Sequence, residues 1–404
     1  MTQVMKGIRV LEVAQFTFVP SAGAILADWG ADVIKVETPN GDAMRGFLGS
    51  SRDDAVDMTA IQFEQLNRGK RSIVADLGTP QGQTVLNALV RSADVVVTSL
   101  LPATRERFGL ASEALRAVNP SVIVASSSGT GPDGPEAGQG GYDYSTFWAR
   151  SGLAHSFHHP DLEYPIGVGG GLGDLISGMA LAGAIAAAVA QRDRTGHAST
   201  VDVSLLGAGI WLTAFDVLAA LHGVRKRRVA VQPHDEPLLA LVNYYRTADD
   251  RFIVLTIPNP ERAWPDLCRR IGLPHLITDA RFADDHARAN HRAELVAVLD
   301  AAFGAHPADE WRRRFDGSTF VWSIAQNPTE VAVDPQVRAN GMIASVDDLG
   351  DSTHRLPELV SSYARFDGSR PVLRRAPRIG ENSSDILREL GLSTVDGPLC
   401  NQVI

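Results

Sequence analysis

Cysteine is nearly absent from this chain: Cys268 and Cys400 are the two among 404 residues. Two thiols so far apart exclude a disulfide framework and point to a reducing compartment. Excess positive charge is absent as well, since 38 Lys and Arg face 47 Asp and Glu, for a net charge of −9. A nucleic-acid-binding protein would show a basic face, so that class is set aside, although a local cationic pocket for phosphate is not. There is no Walker A sequence, no GxSxG, no HExxH and no CxxC. P-loop nucleotide chemistry, the usual serine-hydrolase elbow, the zinc-protease helix and dithiol redox chemistry lose their fingerprints with them. The opening MTQVMKGIRV lacks the long apolar core of a signal peptide. The most apolar run, residues 179–190, is short and alanine-rich for a bilayer span. A cytoplasmic protein with no membrane partner is the expectation.

What is present is ordinary globular material, 44% apolar and 21% charged. Residues 8–13 (IRVLEV) read as a buried strand, 22–29 as a helix closed by Gly30, and 31–37 as a second strand. This βαβ unit predicts a doubly wound, mostly parallel sheet. Its first turn, AQFTFVP, is without the GxGxxG that a dinucleotide would want there. Strands at 72–75, 94–98, 121–126 and 200–204 alternate with helical stretches. The composition then shifts at 224–236, which is basic and then polar. We place a domain boundary there, giving a large domain at 1–223, a smaller α+β domain at 224–330 and a return at 331–404. In the small domain a hairpin is expected around Asp249-Asp250, and the tail should hold a capped helix over 383–390.

Five glycines (Gly167, Gly169, Gly170, Gly171 and Gly173) crowd Asp174, just ahead of a long alanine-rich helix stopped at Thr195-Gly196. Asp174 therefore reads as a residue at or near the N-cap, and Asp is among the commonest N-caps. It also reads as a carboxylate nucleophile kept ionised at the positive end of a helix, with backbone N–H groups at hand for an oxyanion. Arg68, Lys70 and Arg71 ahead of a strand read either as a solvated turn or as a phosphate site, and LPATRERF further on carries Arg105 and Arg107. His155, His158 and His159 lack a Glu or Cys at ligand spacing, so a wet loop is expected rather than a metal site.

Several stretches, taken in order, resemble one family. They are GIRVLEVAQFTFVPSAGAILADWGADVIKVE, NRGKRSIVADL, GYDYSTFWARSG, GLGDLISGMALAGAIAAAVAQRDRTGHASTVDVSLL, VDPQVRANGM and PRIGENSSDILRELGL. Together they are similar to the family III CoA-transferases, a group that includes formyl-CoA transferase, the CaiB-type carnitine CoA-transferases and α-methylacyl-CoA racemase. The resemblance implies that Asp174 attacks an acyl-CoA, giving a mixed anhydride and then an aspartyl-CoA thioester that charges a second carboxylic acid. It implies that N–H groups near Gly171 and Gly173 reach the acyl oxygen, with Tyr142 and Asp143 beside the site. It implies CoA contacts from Thr17, Phe18, Arg71, Ser99 and Arg107, with Arg107 foremost. CoA enters as a substrate, and no permanently bound cofactor or metal is implied. The family fold is an interlocked homodimer in which each chain forms a ring threaded by the other.

Three departures from the family pattern matter. The racemase branch carries Gly-His-Asp where this chain has Gly141-Tyr142-Asp143, and a tyrosine is a poor base at neutral pH, so transfer is favoured over racemisation. Where formyl-CoA transferases carry a glycine run, residues 226–239 read KRRVAVQPHDEPLL, which disfavours a formyl/oxalate pair. Asn382 stands where many members have His. A 2-methylacyl-CoA racemase, a CoA-binding protein without catalysis and a Rossmann-type dehydrogenase remain as alternatives. The acids stay open between small dicarboxylates, aryl acids and carnitine-like acids, with Trp148, Arg150 and the three histidines near the site.

Overall fold

The structure is a computed structural model and describes residues 3–46, 58–159, 161–224, 233–235, 237–347 and 356–392. Most of the basic segment read as a boundary and as the site of a missing glycine run, residues 225–232 and 236, lies outside the described residues. The chain divides into a unit of residues 1–228 with 335–404 and a unit of residues 229–334.

The first unit is built on one parallel sheet. Among the described residues its strands are β1 (Arg9–Val13), β2 (Asp32–Glu37), β3 (Arg71–Val74), β4 (Val95–Thr98), β5 (Ile123–Ser128) and β6 (Thr200–Ser204). They lie in the order β3-β2-β1-β4-β5-β6, every pair parallel. Side chains alternate between two buried faces, as helices on both sides require. Val10, Val95, Val97, Ile123 and Ala125 enter one core with α1 (Phe18–Asp28). Leu11, Val96 and Val124 enter the other, under helix Pro80–Ser92. The helix α1 starts ahead of the expected residue 22. Pro20 does not delay it, because a first-turn residue has no intrahelical use for its N–H.

The long helix α2 (Leu172–Thr195) ends at Gly196 in the left-handed region, φ 73°. Its apolar character extends well upstream of residue 179. By length and composition alone the whole 24-residue helix passes for a membrane span, although the 179–190 run within it is short for one. Its packing gives the reason for so apolar a helix: Gly178, Leu181, Ala182, Ile185 and Val189 are buried, and it lies along α1 in the first core.

The tail closes the far edge of the sheet. Asn382 accepts from the Ser72 N–H at 2.9 Å and returns its own N–H to the Ser72 carbonyl at 3.0 Å, which extends the pairing along β3. This gives Asn382 a structural role. Helix Ser383–Glu389 then buries Ile386 in the second core.

The second unit holds an antiparallel sheet, β7 (Val242–Arg246), β8 (Phe252–Thr256) and β9 (Trp322–Ile324). The β7–β8 turn carries Asp250 at φ 57°, a conformation Asp tolerates better than most residues. Tyr245, Trp264, Phe303, Trp311 and Phe315 dominate its core.

Candidate active site

The sheet order reverses between β1 and β4. Ligands of open α/β sheets bind outside the carboxyl ends of the strands at that point, where the flanking loops part. A cleft of about 350 Å³ lies there. The loop after β1 lines it with Gln15 to Phe18, the segment after β4 with Ser99 to Pro102, Thr104 and Arg105, and the end of β5 with Ser126 to Ser128. Tyr142 and Asp174 complete one wall.

The β1 loop is held from beneath by a buried ionic cluster. Glu12 bridges Lys35 at 3.0 Å and Lys70 at 2.7 Å, and Lys35 reaches Asp42 at 2.7 Å. Asp42 Oδ1 in turn accepts the Phe16 N–H at 3.2 Å. Phe16 sits at φ 66°, a costly conformation for a bulky residue that persists where surroundings over-determine it. Its ring meets Tyr142 edge-on at 6.2 Å. Glu12 is held below the usual carboxylate range: burial opposes this, but the two lysines outweigh it. Lys70 is pushed down to about 8, chiefly by burial.

Asp174 is not the N-cap of α2. Gly171 occupies that position at φ 71°, and Asp174 lies in the first turn. Asp143 takes the role instead, from a π-helical stretch over Asp143–Arg150. Its Oδ2 accepts the Gly173 N–H at 3.1 Å, and it also accepts the Asp174 N–H. The Gly173 N–H is therefore already engaged, so it is not free for an acyl oxygen as the sequence suggested. Gly173 is glycine because a Cβ would collide with the Phe147 ring and Asp143. Gly171 is glycine because of its φ and because a Cβ would lie 3.2 Å from Thr17.

The electrostatics also differ from the expected low pKa. Burial, then the neighbouring Asp143 charge, push Asp174 up to about 7. Burial raises Asp143 as well. The Gly173 and Asp174 N–H groups, which could have lowered Asp174, go to Asp143 instead.

The predicted residues divide into two groups. Thr17, Phe18, Ser99, Tyr142 and Asp174 line the cleft together. Asp143, Gly171 and Gly173 stand directly behind Asp174. Arg71 is off the cleft, paired with Asp32 and Glu389 at 2.7 Å each. Arg107 is exposed, its guanidinium 4.4 Å over the Phe108 ring. Arg105 is the basic side chain among the described residues lining the cleft, and sequence reasoning had preferred its neighbour. A helical phase could have found it. Arg105 follows Leu101 by four positions and shares its face, whereas Arg107 is two positions further round. Arg150 pairs with Glu136 on the surface, and no set of His, Cys, Asp and Glu among the described residues gathers as a metal site.

A family model described as CoA-transferase family III matches residues 5–383. The chain belongs to CoA-transferase family III. It is 32% identical to an acyl-CoA transferase of Fusarium pseudograminearum, covering 96% of this chain and 85% of the relative. It is 31% identical to the succinate–glutarate CoA-transferase of Agrobacterium fabrum, covering 96% and 95%. The crystal structure of a CAIB/BAIF family protein from Brucella suis superposes with a TM-score of 0.82 at 27% identity, covering 96% of this chain and all 100% of that one. Family III membership makes CoA thioesters and carboxylic acids the substrates to be read into the cleft.

Proposed function

We propose that this family III enzyme moves CoA between an acyl-CoA and a free carboxylic acid through covalent intermediates on Asp174. The observation that carries the reading is the position of Asp174, on the wall of the switch-point cleft with Asp143 behind it. In the ionised form, an Asp174 oxygen attacks the thioester carbonyl of the donor. The C–S bond breaks, CoA leaves as thiolate, and a mixed anhydride remains on Asp174. The thiolate attacks the aspartyl carbonyl, forms aspartyl-CoA and expels the donor carboxylate. The acceptor carboxylate attacks that thioester and releases CoA thiolate again, giving a second anhydride. Thiolate attack on the acceptor acyl carbon then frees acyl-CoA and the Asp174 carboxylate. Each negative charge that forms is consumed in the next step, and no net proton is needed. By this reading Asp143 positions Asp174 through the Gly173 and Asp174 N–H groups, and Phe16, Thr17 and Ser99 line the path of the thioester arm.

Tyr142 supports transfer over racemisation, since removal of the C2 proton asks for a base near neutrality. The exposed apolar face of helices Leu205–Leu212 and Ala214–Leu221 supports the interlocked homodimer. Trp211, Phe215 and Leu221 are 81%, 77% and 75% exposed, and a second copy threaded through the ring is the occupant we propose for them.

Intact-protein mass after incubation with a panel of acyl-CoAs (succinyl, glutaryl, an aryl acyl and a carnitine-type acyl) tests the reading. Untreated enzyme should carry a CoA-sized adduct; borohydride or hydroxylamine should release that CoA and leave Asp174 marked as its alcohol or its hydroxamate, and all three marks should vanish in Asp174→Ala. If acyl-CoAs bind and leave no adduct, the covalent reading is wrong.

A further inference from the structure

The β1 loop is pinned at three points by buried side chains that no step of the transfer uses. Lys35 donates to the Ala14 carbonyl at 3.0 Å, and Lys70 to the Pro20 carbonyl at 2.9 Å. Between them Asp42 accepts the Phe16 N–H at 3.2 Å. The same Asp42 oxygen accepts the Met44 N–H at 2.9 Å, and the other lies 2.7 Å from the Lys35 ammonium. Burying this ion pair costs desolvation, and an apolar pair would fill the space without that cost. Its retention points to what Asp42 holds.

It holds Phe16 at φ 66°, where glycine would sit without strain. A bulky residue kept in that conformation is kept for its ring. The ring packs on the small core of Met44, Phe63 and Leu66, and meets Tyr142 edge-on at 6.2 Å. Tyr142 is 69% exposed, and Phe16 is its ring partner among the described residues. Tyr142 leads directly into Asp143, whose carboxylate takes the Gly173 N–H at 3.1 Å and the Asp174 N–H.

We infer that Asp42 is a positioning residue for the nucleophile. It locks the Phe16 ring against Tyr142, and that contact keeps Asp143 in reach of the Gly173 and Asp174 N–H groups. The effect on turnover rests on the transfer reading above; the effect on Asp143 does not.

The test compares wild type, D42A, D42N, F16A and the double variant D42A with F16A, each as folded full-length protein. D42A should lower kcat about tenfold to a hundredfold per folded molecule, the size of loss that a small misplacement brings. D42N keeps an oxygen for the two N–H groups but loses the charge facing Lys35, so it should recover part of that loss. F16A should also slow turnover, and adding D42A to it should cost little more, because both act through one contact. Amide hydrogen exchange reads the brace without turnover. D42A should speed exchange at Phe16 and at Gly173 about tenfold or more, beyond any change at Val96 in the sheet core. F16A should speed Gly173 while the amide at position 16 stays protected by Asp42. Should D42A fail to fold, D42N and F16A carry both readouts. Wild-type kcat in folded D42A, unchanged Gly173 exchange in F16A, or losses that multiply in the double variant would overturn the assignment. If wild type transfers no CoA, the transfer reading fails and exchange at Gly173 still decides the brace.

Discussion

A nucleophilic carboxylate must be ionised, and the residue proposed for that work is held up at about 7. The chemistry therefore acquires a pH limit that an ordinary aspartate would not impose. With Asp174 as the nucleophile, kcat/KM is expected to rise about tenfold per pH unit below 7 and to level off above it. Asp143→Asn keeps a carbonyl oxygen for the Gly173 N–H and removes the like charge. The acid limb of its profile should move to lower pH in steady-state assays. The same shift has a cost in stability. Between the ordinary aspartate value of 3.8 and about 7, the folded chain keeps a proton that the unfolded chain releases. Stability therefore falls as pH rises through that window, and the loss is complete above it. Asp174→Asn is expected to stabilise the protein by about 1–2 kcal/mol at pH 8, after allowance for solvent screening, and not at pH 3. Urea unfolding at the two pH values reads the difference.

At the scale of elements, the contact between α1 and α2 sets how near Asp174 comes to the β1 loop. A Cβ at Gly178 would collide with the Ser21 hydroxyl and come within 2.9 Å of the Phe18 carbonyl. Gly178→Ala should cost about 1–3 kcal/mol through overpacking, seen as a lower urea midpoint. It should also lower activity, because Thr17 and Phe18 move with the start of α1. The strands and α2 were legible in the sequence because their side chains answer to local rules: Val10 and Leu11 alternate between two cores, and Thr195-Gly196 ends a helix by conformation alone. The capping of α2 was not legible. Those N–H groups go to Asp143, which precedes Gly173 by 30 positions. No local pattern shows that a distant carboxylate will win. The charge stretch misled for the same reason. Lys70 and Arg71 look available in NRGKRS, and their partners Glu12, Asp32 and Glu389 are remote in sequence.

At the scale of the molecule, the apolar face around Trp211 and Phe215 is expected to be covered by a second copy. Phe215→Glu should yield a smaller species by sedimentation velocity, with the trapped adduct lost if the partner completes the site. The split between the two units has a different consequence, concerning the order in which the chain acquires its structure. Residues 229–334 are contiguous, so all of the smaller unit has left the ribosome while part of the larger one is still unmade. The larger unit waits for Ser383–Glu389, because Ile386 fills its second core and Glu389 ties Arg9 to Arg71. Until those last residues emerge, β3 is an uncovered edge open to pairing with other nascent chains. A ribosome stalled shortly before residue 383 should therefore carry a finished small unit and an unsealed large one.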